Sequence, residues 1–266
     1  MTKLIDTHCH LDAAEFDADR EEVLAQAIAS DVQMIVVPSV TPKNYVDVII
    51  LSQQHPQCCY ALGIHPMFID RVMPKSTKEL KYIVEKILDV ENKLVAIGEI
   101  GLDFFVTKDN KETQEYFFSE QLKIAQEYDL PVILHVRDAI DDVLKHLRRI
   151  KVRGGIAHAF NGSMQQAEQL TEMGFKLGFG GAMTYPRASK LQQLAKNLPL
   201  ESIVLETDAP DMPPEWLKKK ERNSPKELLK IANKLASLRR IPLSQIIEIT
   251  SKNSLAVLPK LGDLYT

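Results

Sequence analysis

Two histidines separated by one residue stand near the start of the chain, in the stretch IDTHCHLD at residues 5–12. Residues i and i+2 of an extended segment point to one face, so His8 and His10 should lie side by side while Cys9 points away. Paired imidazoles are typical ligands of a divalent metal, although either histidine alone would also suit a hydrogen-bonded core position. The pair therefore indicates one corner of a metal site.

Further titratable residues stand at the ends of later apolar runs, and these are His65, Glu99, His135, His158 and Asp208. If the runs are parallel strands of a barrel, their carboxyl ends meet at one face, where active sites lie. Together with His8 and His10, the residues Glu99, His135, His158 and Asp208 make a pocket of four imidazoles and two carboxylates, which needs a cation to offset the cost of burying it. Six ligands exceed the tetrahedral set of one zinc and suit two metals that share a carboxylate. Strand adjacency makes Glu99 the expected bridge. It assigns His8, His10 and Asp208 to one metal, and His135 and His158 to the other.

The elements that must position these residues alternate between apolar runs of strand length and amphipathic stretches of helix length. The predicted strands are 3–6, 33–40, 59–64, 94–100, 131–136, 154–159, 175–180 and 202–206. The predicted helices between them are 20–29, 45–54, 77–90, 113–128, 139–150, 164–173 and 188–197. Near-continuous apolar runs between helices are typical of parallel strands covered on both faces.

Eight β/α units in about 250 residues match the arithmetic of a (β/α)8, or TIM, barrel. A doubly wound open sheet would usually carry a Gly-rich phosphate turn after its first strand, and that turn is absent. Two extra helices should follow the eighth strand, the first opening with a capping box at Ser224-Pro225-Lys226-Glu227. No long linker or shift in composition divides the chain, so we expect one domain over residues 1–266.

Composition excludes several classes of function. The chain has 266 residues and a formal charge of -3, so it lacks the basic footprint of a sequence-specific DNA reader, although a nuclease remains compatible. Its three cysteines do not suit a disulfide framework. No secretory leader or membrane-spanning run is evident. We therefore expect a cytoplasmic protein with no membrane association and no obligate protein partner.

The motifs DTHCH, GIHP, GEIGLDF, LPVILHVRDA, AHAFNGS and LETDAP occur in this order. Together they resemble the successive signatures of the TatD-like metal-dependent hydrolases, amidohydrolase-type barrels usually described as deoxyribonucleases. The resemblance runs from residue 5 to about residue 255. It implies divalent metals (Mg, Mn, Zn or Ni) held by the six ligands above, and DNA bound without sequence specificity as the substrate. The string Arg222-Asn223-Ser224-Pro225 departs from the Arg-Asn-Glu-Pro that the family often has, and the segments TYPRASK and DAPDMPP resemble a less-characterised branch.

The expected reaction is an exonuclease-like hydrolysis of phosphodiester bonds in which the metals activate water. Asp208 is the candidate base, Glu99 bridges the metals, and Glu206, like Asp6, should support a ligand from the same inward face. His65, Arg137 and Arg187 are candidate phosphate contacts, and Tyr185 could stack on a base. The basic run at residues 218–220 suits either a solvated surface or a patch that follows phosphates.

Two alternatives stay open. The same metal centre could hydrolyse a small ester, lactone or amide. Many barrels of this type hold their metals with a carboxylated lysine after strand 4, and Glu99 at that place favours the nuclease-like branch. The chain could instead be a binding protein that has lost activity, but an intact ligand set argues against this.

Overall fold

The computed structural model describes residues 3–105, 109–218 and 221–265. Its strands are β1 (Leu4–Asp6), β2 (Val32–Pro38), β3 (Cys58–Leu62), β4 (Leu94–Asp103), β5 (Val132–Arg137), β6 (Gly155–Ala157), β7 (Phe175–Phe179) and β8 (Ile203–Leu205). Its helices are α1 (Arg20–Ala29), α2 (Tyr45–Gln54), α3 (Ser76–Leu88), α4 (Lys111–Glu127), α5 (Ile140–Arg149), α6 (Met164–Glu172), α7 (Ser189–Asn197), α8 (Leu228–Arg239) and α9 (Leu243–Val257).

The eight strands form one parallel sheet in the order β1 to β8. Backbone hydrogen bonds join its two ends, because Thr7 N donates to Leu205 O (3.1 Å) and His10 N donates to Ala209 O (2.8 Å). Helices lie between successive strands, and α8 and α9 follow β8. The structure therefore confirms the predicted (β/α)8 barrel and its two extra C-terminal helices.

Two apolar layers fill the protein. The larger packs the outer faces of the strands against the helices, and the smaller lies inside the barrel. Val257, Leu258 and Leu261, from the end of α9 and the turn after it, belong to the inner cluster. The neighbouring thiols of Cys58 and Cys59 are free and buried on opposite sides of β3, one in each layer. Apolar side chains thus occupy the interior, which leaves polar ones for the carboxyl ends of the strands.

Strand β4 differs most from its prediction, since it continues to Asp103 rather than ending at residue 100. Its pairing with β5 shifts register between Ile97 and Ile100 and then resumes up to Asp103, which pairs with Arg137. Irregularities of this kind re-aim side chains next to active sites. Glu99 therefore stands within an irregular strand and not at its end.

The predicted capping box at Ser224 is wrong. Pro225–Glu227 is a 3-10 turn without a side-chain cap, and α8 begins only at Leu228. The Glu227 carboxylate instead accepts from Trp216 Nε1 (2.6 Å) and Lys230 Nζ (3.1 Å). Because these partners draw the carboxylate away from the Ser224 backbone, the reciprocal bonds of a capping box are not made.

Among the helices within residues 3–105, 109–218 and 221–265, none combines the length and apolar character needed to cross a membrane.

Candidate metal centre

The segment after β1 presents two histidines to the mouth of the barrel. His8 Nε2 and His10 Nε2 lie 3.3 Å apart, whereas Cys9 Sγ lies 3.6 Å from Ala209 O in the outer core. His8 is fully buried and His10 is partly exposed. The alternation expected from the sequence is therefore observed. One imidazole of the pair, His8, is buried, and the other, His10, is accessible.

Glu99 stands between two groups of histidines. Its Oε2 lies 3.2 Å from His8 Nε2 and 3.6 Å from His10 Nε2. Its Oε1 lies 3.0 Å from His135 Nδ1 and 3.3 Å from His65 Nε2. Burial alone would raise the pKa of this carboxyl, but the surrounding imidazoles of His65, His8 and His135 outweigh burial and hold the pKa well below its usual range. Glu99 is therefore an ionised carboxylate placed as a bridge requires.

Asp208 joins the first group of histidines from the far end of the chain. Its Oδ1 lies 3.6 Å from His8 Nε2 and 3.7 Å from His10 Nε2, and its Oδ2 lies 3.7 Å from His158 Nε2. Its backbone is left-handed (φ 56°), and its N–H donates to His8 O (2.8 Å). Strained backbone of this kind persists where surrounding bonds hold it and is concentrated at functional sites. The bond to His8 fixes Asp208 against the first histidine pair.

Glu206 holds the ring of His158. Its Oε1 lies 3.1 Å from His158 Nδ1 and accepts from Ala159 N (2.6 Å). Burial would lower the pKa of His158, but the carboxylates of Glu206 and Asp208 outweigh it and raise the pKa to about 10. This contact leaves His158 Nε2 facing Asp208. Glu206 was expected to support a ligand, and in the structure it contacts the His158 ring directly.

Asp103 makes the corresponding contact on His135, a role that the sequence reasoning missed. Its Oδ2 lies 3.0 Å from His135 Nε2, while its Oδ1 accepts from Phe105 N (3.0 Å). Asp103 therefore both holds the loop after the fourth strand and contacts the His135 ring. The even spacing of Glu99 and Asp103 on one strand was the available signal, since residues i and i+4 share a face.

Two glutamines of α4 fix the backbone beside the site. Gln114 Oε1 accepts from Asp103 N and its Nε2 donates to Asp103 O, both at 2.8 Å. Gln121 Oε1 accepts from Ile64 N (2.6 Å) and its Nε2 donates to Ile64 O (3.1 Å). Each glutamine amide thus bonds to both the backbone N–H and the backbone C=O of one residue, Asp103 or Ile64. These bonds fix the backbone at Asp103 and just before His65.

His65 is a hydrogen-bond donor to Glu99 in its neutral form. Its Nδ1 accepts from Met67 N (3.1 Å), so the ring proton must lie on Nε2, which faces Glu99 Oε1. Burial lowers the pKa of His65 despite the nearby Glu99 carboxylate, which favours this neutral form. An imidazole whose facing nitrogen carries a proton does not offer that nitrogen to a cation. His65 therefore lies among the candidate ligands but does not present a free ring nitrogen to a cation.

Asp6 ties the two chain segments of the site together. Its buried carboxylate accepts from Thr207 Oγ1 (2.6 Å), Thr207 N (2.9 Å) and His8 N (3.3 Å). Burial raises the pKa of this carboxyl to about 8. Because Thr207 lies between Glu206 and Asp208, Asp6 supports the ligands through backbone and hydroxyl groups rather than through an imidazole ring. Asp12, which the sequence left unexplained, accepts from Asn44 Nδ2 (2.8 Å) at the cavity wall.

The assembled donors fit a divalent metal. Among the described residues, three overlapping groups have all their candidate ligand atoms within 4.8 Å of one another, namely His8 with His158 and Asp208, His8 with His10 and Glu99, and His65 with Glu99 and His135. Because His65 Nε2 carries a proton, the donors of the third group are Glu99 and His135. Burial and the neighbouring His158 lower the pKa of His8, so it offers a neutral imidazole to a cation. The combination of imidazole nitrogens and carboxylate oxygens suits zinc, manganese or nickel.

The site opens into a cavity of about 1370 Å³, which His10, His65, Glu99, His135, His158, Asp208 and Arg137 help to line. Tyr185 and Arg187 are not among the described residues that line it. Tyr185 Oη donates to Pro213 O (3.0 Å), and the Arg187 guanidinium lies 5.5 Å from the Tyr185 ring centroid. Residues 219 and 220 of the basic run lie outside the described residues. Arg137 thus meets the expected position for a substrate contact, whereas Tyr185 and Arg187 lie apart from the cavity.

Comparisons with known proteins agree with this architecture. A family model described as TatD related DNase matches residues 5–259. A protein of Escherichia coli K12, named uncharacterized metal-dependent hydrolase YjjV, is 40% identical over 255 residues, which are 96% of this chain and 97% of that protein. The human protein named deoxyribonuclease TATDN3 is 31% identical over 271 residues, covering 98% of this chain and 96% of that protein. The crystal structure of E. coli YjjV superposes with a TM-score of 0.90 at 39% identity, covering 96% of this chain and 98% of that chain.

Proposed function

The chain belongs to the TatD-related DNase family and is a metal-dependent hydrolase, and from this premise we propose that it cleaves phosphodiester bonds of DNA at a dinuclear metal centre. The observation that carries the proposal is the position of Glu99, whose two oxygens face different histidines at 3.0–3.6 Å. A carboxylate with an oxygen toward each of two imidazole groups can bridge two cations.

The proposed ligands divide at this bridge. His8, His10 and Asp208 would hold one cation, and His135 and His158 the other, with Glu99 shared. The contacts of the supporting carboxylates favour His135 and His158 as ligands, since Asp103 lies against one ring nitrogen of His135 and Glu206 against one of His158. The division between the two cations rests on strand adjacency, because His158 Nε2 also lies near His8 and Asp208. Such partners fix the orientation of a ligand ring and its basicity. Magnesium, manganese, zinc and nickel are the candidate metals.

When bound, divalent cations polarise phosphoryl oxygens and lower the pKa of water. The other steps fall to the side chains of this chain. Asp208, whose side chain is 13% exposed at the cavity, accepts the proton of the attacking water. Arg137 at the cavity wall donates to phosphate oxygens as the substrate binds, and the Nε2–H of His65 would do so only after leaving Glu99 Oε1. Glu206 keeps His158 in place during the reaction.

The charge of the cavity wall favours a second candidate function. Outside the proposed ligands, eight carboxylate residues of the described part of the chain line the cavity, and these are Asp12, Glu15, Asp47, Glu79, Asp138, Asp141, Asp142 and Asp211. Four cationic residues of the same part line it, and these are Lys43, Arg71, Lys75 and Arg137. A wall of this charge repels an extended polyanion and tolerates a small, weakly charged molecule. Hydrolysis of a small ester, lactone or amide is therefore the second candidate.

The two candidates separate in one assay. The protein loaded in turn with Mg²⁺, Mn²⁺, Zn²⁺ or Ni²⁺ is incubated with an end-labelled single-stranded oligonucleotide and, separately, with a neutral lactone and a carboxyl ester. We expect shortening of the oligonucleotide, with Asp208→Asn slowing it about 100-fold or more because the base is lost.

Asp138→Asn is the matched control, because Asp138 lines the same cavity and asparagine tolerates its left-handed backbone (φ 53°). It should retain activity close to that of the wild-type protein. Cleavage of the lactone or ester without any cleavage of DNA under all four metals would establish the second candidate. Equal activity of Asp208→Asn and Asp138→Asn would remove Asp208 from the mechanism.

A further inference from the structure

An exposed phenylalanine stands beside the site and has no part in the chemistry described above. Phe105, two residues after the Asp103 carboxylate, is 59% exposed. The guanidinium carbon of Arg137 lies 3.7 Å from the centroid of its ring. A cation this close to an aromatic face is a stabilising contact. The guanidinium therefore covers part of the phenyl ring, and the rest of the ring forms a flat, exposed surface.

This surface is fixed to the metal centre through two strands. Asp103 of β4 pairs with Arg137 of β5, and Phe104 N donates to Arg137 O (2.9 Å). Phe105 N donates to Oδ1 of the Asp103 carboxylate, and the Oδ2 of the same carboxylate contacts the His135 ring. Arg137 also lines the cavity. The ring and the guanidinium thus hold a set position relative to His135, as a specificity contact requires.

The cavity wall beside this pair also combines an aromatic ring with a guanidinium group. Phe68 lines the cavity in the 3-10 turn Pro66–Arg71, with the Arg71 guanidinium 5.0 Å from its ring centroid. Asn110 Nδ2 donates to Asp70 Oδ2 (3.1 Å), which links this turn to the segment after β4. The side of the cavity next to β3 and β4 therefore combines aromatic faces with guanidinium groups. Such groups suit a flat aromatic ligand that carries an anionic phosphate.

We propose that Phe105 and Arg137 form a nucleobase subsite, which takes the base of the nucleotide whose phosphate reaches the metal centre. The inference rests on the proposed function and adds the part of the substrate that is recognised. Every base has a π face, so stacking on the exposed Phe105 ring binds DNA without reading its sequence. A small aliphatic ester or lactone has no such face and gains little from this ring. The subsite replaces Tyr185 as the stacking surface, because the guanidinium partner of Phe105 is Arg137, which lines the cavity, whereas Arg187 beside Tyr185 is not among the described residues of the lining.

The test compares two ligands that differ only in the base. Binding of deoxyadenosine 5′-monophosphate and of 2-deoxyribose 5-phosphate to the metal-loaded protein is measured by calorimetry. We expect the nucleotide to bind about tenfold more tightly to the wild-type protein, from one stacked base. Phe105→Ala should reduce this preference to about twofold or less while leaving the affinity for the sugar phosphate unchanged. Phe105→Trp should keep the preference, and Phe105→Leu serves if the alanine variant does not fold.

Tyr82→Ala is the matched control. Tyr82 is 61% exposed and has Lys86 Nζ 5.6 Å from its ring centroid, but Lys86, unlike Arg137, is not among the described residues of the cavity wall. This variant should keep the wild-type preference. The subsite would be overturned if Phe105→Ala and Phe105→Leu kept the wild-type preference, or if these variants lost affinity for both ligands equally. A wild-type protein that binds both ligands equally tightly would also overturn it.

Binding requires no hydrolysis, so this result is separate from the proposed function. A protein inert to DNA that retains a Phe105-dependent preference for the base would contradict the nuclease proposal and support the subsite. An active nuclease without that preference would overturn the subsite alone.

Discussion

The two oxygens of Glu99 face different imidazoles, with Oε2 toward His8 and Oε1 toward His135. The ring of His135 is in turn held between two carboxylates, because its Nδ1 faces Glu99 and its Nε2 faces Asp103. In this arrangement Nδ1 is the nitrogen available to a cation, and Asp103 accepts the proton of Nε2. The role of His135 therefore depends on a buried carboxylate 32 residues earlier in the chain.

Asp103→Asn tests this dependence at the residue scale. The amide is a weaker acceptor for the Nε2 proton, so we expect affinity for the second metal ion or kcat to fall about 10- to 100-fold. Metal titration by calorimetry, with the activity assay at saturating metal, separates the two effects. Asp70→Asn is the control, since Asp70 accepts from Asn110 at the rim. If the two variants had the same metal affinity and kcat, Asp103 would have a role in the loop but none in positioning His135.

At the scale of elements, β7 makes room for a residue of the site. An alanine Cβ at Gly178 would lie 2.2 Å from Glu206 Oε2, and one at Gly180 would lie 2.8 Å from Glu206 O. The strand therefore needs glycine where the buried carboxylate packs against it, and the position of His158 depends on this fit.

Gly178→Ala should displace Glu206 from His158. We expect the free energy of unfolding to fall by about 1–3 kcal/mol from overpacking, and hydrolysis to slow by about tenfold or more as His158 loses its partner. Urea unfolding and the activity assay measure the two effects. Gly262→Ala is the control, because nothing lies within 4 Å of its added Cβ. If Gly178→Ala lost stability but kept full activity, Glu206 would have no part in positioning His158.

Helix α5 carries a buried histidine on the far side of the barrel wall from the site. His146 is 8% exposed, its Nδ1 lies 3.0 Å from Ser119 Oγ, and its Nε2 lies 3.9 Å from Glu115 Oε2. Burial lowers its pKa below the ordinary value of 6.5, and Glu115 offsets this only in part. The unfolded chain therefore takes up a proton at higher pH than the folded one.

Acid should consequently destabilise α5. The contribution of neutral His146 is fully present above about pH 6.5, and it is lost as pH falls through that value toward the lower pKa of the folded state. His146→Gln retains an amide for Ser119 and removes the titration. We expect the urea midpoint of the wild-type protein to fall more between pH 7.5 and pH 5 than that of the variant. Parallel pH profiles would contradict this assignment.

At the scale of the whole molecule, the site connects both ends of the chain. Asp6 and His8 from β1 and the segment after it are held by Thr207 and Asp208, about 200 residues later. A cation bound at His8 and Asp208 would add a further link between the same segments. Metal binding should therefore stabilise the entire barrel, and the predicted single domain should unfold in one step.

Removal of metal tests both statements. At a hundredfold excess over Kd, a ligand adds about 2.7 kcal/mol, which corresponds to a rise in Tm of about 5–10 °C for a protein of this size. Thermal scans of metal-loaded and chelator-treated protein, followed by near- and far-ultraviolet circular dichroism, should show one coincident transition in each case. Two separate transitions would contradict the single domain, and equal Tm values would contradict metal binding at the shared site.

The sequence by itself determined the barrel and the group of residues at its mouth. Strand-length apolar runs and helical periods depend on local patterning, so α1 and α2 were predicted with the bounds that the structure has. Period-two alternation likewise separated His8 and His10 from Cys9. One error arose where a side chain had alternative partners, because Trp216 and Lys230 take the Glu227 carboxylate from the predicted capping box.

Only the tertiary structure decided how the site residues face one another. The register shift in β4 aims Glu99, Asp103 takes the outer nitrogen of His135, and the backbone N–H of Met67 fixes the proton of His65. The same holds for Tyr185, which the sequence placed near substrate and the fold places against Pro213. Local periodicity tells which face of its own strand a side chain occupies. The direction and distance between two side chains depend on register, bulges and loop contacts that residues remote in sequence make together.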